Sequence, residues 1–258
     1  MLRKLSLLLT ALCALTATTM HAASTTGTIS VSPAVVMLRG SAGQSTTQTL
    51  TVVNGSSQPF TFEMVANDVV VDNGQRRFSP AGNIAGSIAA TAAFSQKSVT
   101  VAPGDAKQID VTVTIPANPA GRAIVALFRG TDKLHRNGFS MTASVGTLLT
   151  FTLSDNVALD AQPLAVTAPS ASSNLTVAQQ CANSGREPLV AKGMLAIVGS
   201  NGNLVGKTAL PAKRLLPGER TDIRAEYGGE LAPGHYRALV TYDVESKVVS
   251  SAAEFDVR

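Results

Sequence analysis

Between Phe139 and Leu153 the chain reads F-S-M-T-A-S-V-G-T-L-L-T-F-T-L, and every odd position is apolar or carries a methyl group. The even positions are Ser, Thr or Gly, with Leu148 the exception. A period of two makes one face of a β-strand oily and the other wet. Fifteen such residues would reach about 50 Å, against a usual strand of about 5–6 residues. Two readings are open for this stretch. It is either a long core strand with nothing bound, or a ribbon with a flank left unpaired. In the second case its N–H and C=O groups, beside a row of apolar side chains, form a template for another chain.

The same alternation recurs along the chain. Ile29 and Val31 open a strand interrupted by Pro33, and a proline cannot donate to a ladder, so this is an edge strand or one that switches sheets. Leu50 and Val52 lead to a turn at Asn54–Gly55 and a return through Phe60, Phe62 and Met64, the pattern of two antiparallel strands. Ile109, Val111, Val113 and Ile115 mark another strand, and the run A-I-V-A-L-F from Ala123 another. Asp72 to Ala92 reads as loop, and Gly130 to Gly138 as a basic, flexible loop. No amphipathic helix is evident. The class is all-β.

The second half repeats the first. V-A-P-G-D-A-K-Q-I-D from Val101 matches L-L-P-G-E-R-T-D-I-R from Leu215, and V-V-N-G-S-S-Q-P matches Q-C-A-N-S-G-R-E-P. N-P-A-G-R-A-I-V-A-L-F answers to L-A-P-G-H-Y-R-A-L-V-T-Y. Matching turns separated by matching alternation predict two immunoglobulin-like β-sandwiches in tandem, residues 24–160 and 161–258. The Ser-, Ala- and Pro-rich stretch Ala161 to Asn174 is the expected linker.

Composition adds a compartment. Arg3 and Lys4, an apolar run from Leu5 to about Ala17, and small residues at Ala22 and Ala23 have the form of a secretory signal peptide over residues 1–23. The apolar run is too short to span a bilayer. Cleavage near Ala22 or Ala23 leaves about 235 residues, enough for two sandwiches of roughly 100 residues each. It also leaves 19 basic against 17 acidic residues, too little positive charge for nucleic-acid binding. A periplasmic location is expected. Cys13 leaves with the signal, so Cys181 stands alone, without an internal disulfide and with the character of a small buried hydrophobe.

Catalytic chemistry finds no foothold. His135 lies in the basic loop and His235 beside a turn glycine, neither with a second ligand at metal spacing. There is no G-x-S-x-G elbow, phosphate loop or H-E-x-x-H. No enzyme activity, cofactor or metal is expected. The loop cations Lys133, His135 and Arg136 are read as a solubilising group rather than a docking site for an acidic surface.

The order of these features resembles the periplasmic chaperones of pilus assembly, the PapD-like family. The features are a signal peptide, two sandwiches without disulfides, A-I-V-A-L-F-R before a loop, and then a long strand containing T-L-L-T-F from Thr147. The resemblance implies a non-enzymatic chaperone for pilin-like or other secreted subunits, with an outer-membrane usher as a further partner. It implies that alternate apolar residues of the long strand, here Met141, Ala143, Val145, Leu149 and Phe151, complete an unfinished subunit by strand addition. The family holds a subunit's C-terminal carboxylate with an Arg from the first strand and a Lys from the long one. Here those places hold Pro33 or a neighbour and Thr150, and the nearest cations are Arg39 and Arg129. The S-V-S-P opening and the P-A-G-R-A segment also resemble exported Ig-like proteins of bacterial surfaces, which makes a non-enzymatic envelope interaction module the alternative.

Overall fold

Alternation becomes two sandwiches in a computed structural model that describes residues 28–132, 134–136, 139–245 and 247–258, with the side chains of 134–136 and 139–141 left aside. The expected signal peptide lies outside the described residues. The first sandwich comprises β1 (Ile29–Ser32), β2 (Val35–Arg39), β3 (Ser45–Asn54), β4 (Phe60–Asp72), β5 (Gln75–Pro80), β6 (Ala93–Phe94), β7 (Ser98–Val101), β8 (Ala106–Thr114), β9 (Ala123–Gly130), β10 (Leu134–Arg136), β11 (Phe139–Met141) and β12 (Ser144–Thr152). One sheet runs β1-β3-β8-β6 and the other β2-β12-β9-β4-β5, with β7 also on β4. Leu50, Val52, Ile109, Val111 and Val113 face Phe60, Phe62, Ile124, Phe128, Leu149 and Phe151 across the core. Phe62 meets Phe128 edge to face at 6.2 Å. Each such side chain contributes about 1.5–3 kcal/mol by leaving water.

Pro33 does what its missing N–H requires. β1 pairs with β3 in one sheet, the Ser32–Pro33 bond is cis, and β2 then crosses to the other sheet and pairs parallel with β12.

The second sandwich sets β13 (Leu159–Ala161), β14 (Ala165–Thr167), β15 (Leu175–Asn183) and β18 (Arg220–Tyr227) against β16 (Leu189–Gly199), β17 (Leu204–Leu215), β19 (Gly234–Val244) and β20 (Lys247–Val257). Leu175, Val177, Cys181, Leu195, Ile197, Ile223, Val240 and Tyr242 fill its core. Burial pushes the Cys181 thiol above its ordinary pKa, which favours its protonated form.

The repeat seen in sequence is a repeat in hydrogen bonds. Asn54 donates its side-chain amide to the carbonyls of Gln58 and Val101, and its own carbonyl accepts from Gly104 N. Asn183 does the same with Glu187, Leu215 and Gly218. In both domains a Pro-Gly turn delivers that N–H, with Gly104 at φ 78 and Gly218 at φ 79, a conformation that costs glycine little.

Three expectations need correction. Ala161 to Asn174 is not a free linker, since β13 and β14 already pair with β15, and the chain passes from the first core at Leu153 to the second at Val157. β13, the first strand of the second sandwich, spans Leu159–Ala161. Asp72 to Ala92 is only partly loop: Asn73 and Gly74, at φ 51 and 82, turn β4 tightly into β5. That Asn-Gly pair after a Val run is a hairpin signal in its own right. Finally, the fifteen-residue strand is broken. β11 forms a separate hairpin with β10 inside the expected loop, and β12 begins at Ser144.

The sandwiches meet through a buried carboxylate. Glu187, with its side chain 1% exposed, accepts from Leu153 N at 3.0 Å, Ser154 Oγ at 2.9 Å and Arg122 Nε at 3.1 Å. Leu216 of the second domain packs on Val69 and Ala123 of the first.

Candidate partner-binding edge

β12 has two unlike halves. On one flank it pairs antiparallel with β9 along Ser144 to Thr150. On the other it pairs with β2 only from Leu148 to Thr152. Alternate residues of a strand direct their backbone groups to the same flank. Ala143 O accepts from Gly130 N on the β9 side, whereas Leu148 N donates to Ala34 O on the β2 side. Ser144 and Gly146 therefore present their N–H and C=O groups to the β2 side, and no strand among the described residues pairs with them there. Thr147 Oγ1, donating to Pro33 O at 2.7 Å, closes the gap just beyond them.

Pro33 explains where the opening stops. The chain can join β12 only after it has crossed between sheets, so the edge is covered from Leu148 onward and bare before it. At the bare half Ala143 and Val145 are half-buried and, like Ile29 and Val31, pack against the core at its lip. Their apolar surface is partly in water, next to unpaired backbone, which is the chemistry of a strand-accepting edge.

The predicted binding residues separate accordingly. Ala143 and Val145 lie at the open lip. Met141 lies in β11 opposite Leu134, its side chain outside the described residues. Leu149 and Phe151 are 1% and 0% exposed, closed over by β2, whose Val36 and Leu38 pack on the same core. They belong to the core of this chain's own sandwich. Lys133 and the side chains of His135 and Arg136 lie outside the described residues.

Arg39 and Arg129, the expected carboxylate anchor, stand far apart along β12. Arg39 stands opposite Thr152 and Arg129 opposite Ser144, eight residues apart on β12 or about 26 Å. Each already has an acid of its own: Asp155 at 2.8 Å for Arg39 and Glu63 at 2.7 Å for Arg129. Thr150, where the resemblance places a Lys, is buried and donates to Val36 O.

Two features escaped the sequence reading. One is the open backbone of Ser144 and Gly146, since alternation reports side chains and not which flank is paired. The other is the outer face of the same sheet. Val35 and Met37, 40% and 50% exposed, stand in register with Leu148 and Thr150 beside half-buried Val125, Leu127 and Val65. Leu148, the exception to the polar even positions, was the signal for that second apolar face. Among the described residues no three His, Cys, Asp or Glu gather at metal-binding distance, and no helix is long and apolar enough to cross a membrane.

No family model matches this chain, and no curated protein sequence matches it. Among solved structures, it is similar to the class 5 fimbriae chaperone CfaA, at 13% identity and TM-score 0.48 over 90% of this chain and 99% of that one. It is also similar to a chain of the Salmonella enterica SafA pilin–SafB chaperone complex, at 13% identity and TM-score 0.39 over 90% and 99% of the two chains. A third likeness is the E. coli chaperone DraB, at 11% identity and TM-score 0.41 over 90% and 98%.

Proposed function

We propose that this protein is a periplasmic, non-enzymatic chaperone for pilin-like subunits that lends the open half of β12 to complete a client's unfinished sheet. The observation that carries the reading is the half-paired strand: Ser144 and Gly146 offer hydrogen bonds on one flank, with Ala143 and Val145 beside them at the lip. The ladder would supply affinity, and the side chains of 141, 143 and 145 would set register through their alternation. The covered half, from Leu148 onward, anchors the lent segment to a rigid core.

The test is co-expression with a pilin-like subunit that lacks its own last strand. Val145→Asp, with Ala143→Asp beside it, should abolish the subunit's accumulation and co-purification while the variant still folds and unfolds cooperatively, with a lowered thermal midpoint. Undiminished co-purification of a folded double variant would remove the reading. It would leave the envelope interaction module, which the fully covered segment Leu148 to Thr152 favours.

A further inference from the structure

A second surface lies at the far side of the domain junction, at the β5 edge of the sheet whose other edge is β2. The tip of the β4–β5 hairpin meets the β17–β18 turn there, and Arg220 N donates to Gly74 O at 2.9 Å. Between them is a cleft of about 500 Å³ lined by Gln75, Arg76, Lys213, Arg214, Glu219 and Arg220. Four of those six side chains are cationic and one is acidic.

The acid is already committed. Glu219 takes Arg76 Nε at 2.9 Å and also accepts from Leu216 N at 2.8 Å, while Arg76 Nη2 donates to Arg214 O at 2.8 Å. Lys213, Arg214 and Arg220 have no acid within ion-pair distance among the described residues. Arg214 Nε is buried and donates to nothing. Burial and the neighbouring Arg76 charge both act against the Arg214 cation, so its guanidinium lacks a counter-charge that the fold does not supply. Buried donors left unmade are costly, and an oxyanion accepts several at once.

The geometry points to an oxyanion-binding site in this junction cleft, where a small free phosphate-type anion is held by Arg214, Lys213 and Arg220 of the second sandwich. Occupancy neutralises a cluster of cations that the fold leaves without a counter-charge.

The experiment titrates pyrophosphate, and separately chloride at matched ionic strength, into the full mature chain. Backbone amides of Gly74, Gln75 and Thr221 are followed by NMR. Pyrophosphate should give saturable shifts at these three positions that chloride does not give. Arg214→Gln should weaken binding by at least about tenfold, the loss expected for one charge-assisted hydrogen-bonding group. Should Arg214→Gln not fold, the double variant Lys213→Gln, Arg220→Gln alters only exposed side chains and should show the same loss. Lys107→Gln, an exposed change on β8, should leave binding unaltered. Non-saturable shifts, equal responses to chloride and pyrophosphate, or full binding by the double variant would each overturn the site.

Discussion

His235 shows how a single exposed side chain takes its properties from cross-strand neighbours. It stands opposite Asp256 on β20, with Nδ1 2.9 Å from the Asp256 carboxylate and Nε2 3.5 Å from Glu254. The Asp256 hydrogen bond, joined by the charges of both acids, favours the imidazolium and raises its pKa above the ordinary 6.5. A raised folded-state pKa contributes stability that is complete below the unfolded value and disappears as pH rises through the folded one. An NMR titration should place the His235 midpoint above 6.5, and Asp256→Asn should move it downward. A midpoint that ignores the substitution would show that the pair does not form in solution. The histidine was visible in sequence, but its partners lie 19 and 21 residues away and are set by the register of β19 on β20.

At the scale of the element, β12 divides into a structural half and an available half, and the division has measurable consequences. Leu149 is fully enclosed, so Leu149→Ala should cost about 2–5 kcal/mol in denaturant unfolding through lost burial and a cavity. Val145, half-buried at the lip, leaves less behind, and Val145→Ala should cost about 1 kcal/mol or less. Equal costs would mean that the lip is closed in solution and β12 is a single core strand. The alternation over 139–153 had placed Val145, Leu149 and Phe151 in one class, because all three point to the same face. What separates them is β2, which arrives from a point more than 100 residues earlier. Periodicity along one strand carries no record of a partner that joins only part of its flank. The break between β11 and β12 was hidden for the same reason, since Thr142 and Ala143 keep the alternation while the pairing changes.

At the scale of the whole molecule, the joint between sandwiches is organised around Glu187, whose enclosed carboxylate takes donors from Arg122, Leu153 and Ser154. Removing one member of a buried pair strands the other's charge and its hydrogen bonds. Glu187→Ala should therefore destabilise the protein by about 3 kcal/mol in denaturant unfolding, with Glu187→Gln losing less because an amide still accepts. The variant should also separate a single unfolding transition into two as the domains uncouple. A single unshifted transition would deny Glu187 that role.

Local residue patterns were enough to specify the all-β class, the duplication of the sandwich and the turns that punctuate it. Those features are written in local terms: a period of two, a proline that cannot donate, and Pro-Gly turns recurring after matching strands. Asn54 and Asn183 could be aligned from sequence, although the identical bonds they make could not. Tertiary structure alone decided which flank of β12 is covered, that Arg39 and Arg129 stand at opposite ends of it, and that four cations gather at the domain junction around one acid. Each of these is a juxtaposition of segments distant in the chain, fixed by sheet order and register, for which a linear pattern of polar and apolar residues has no coordinate.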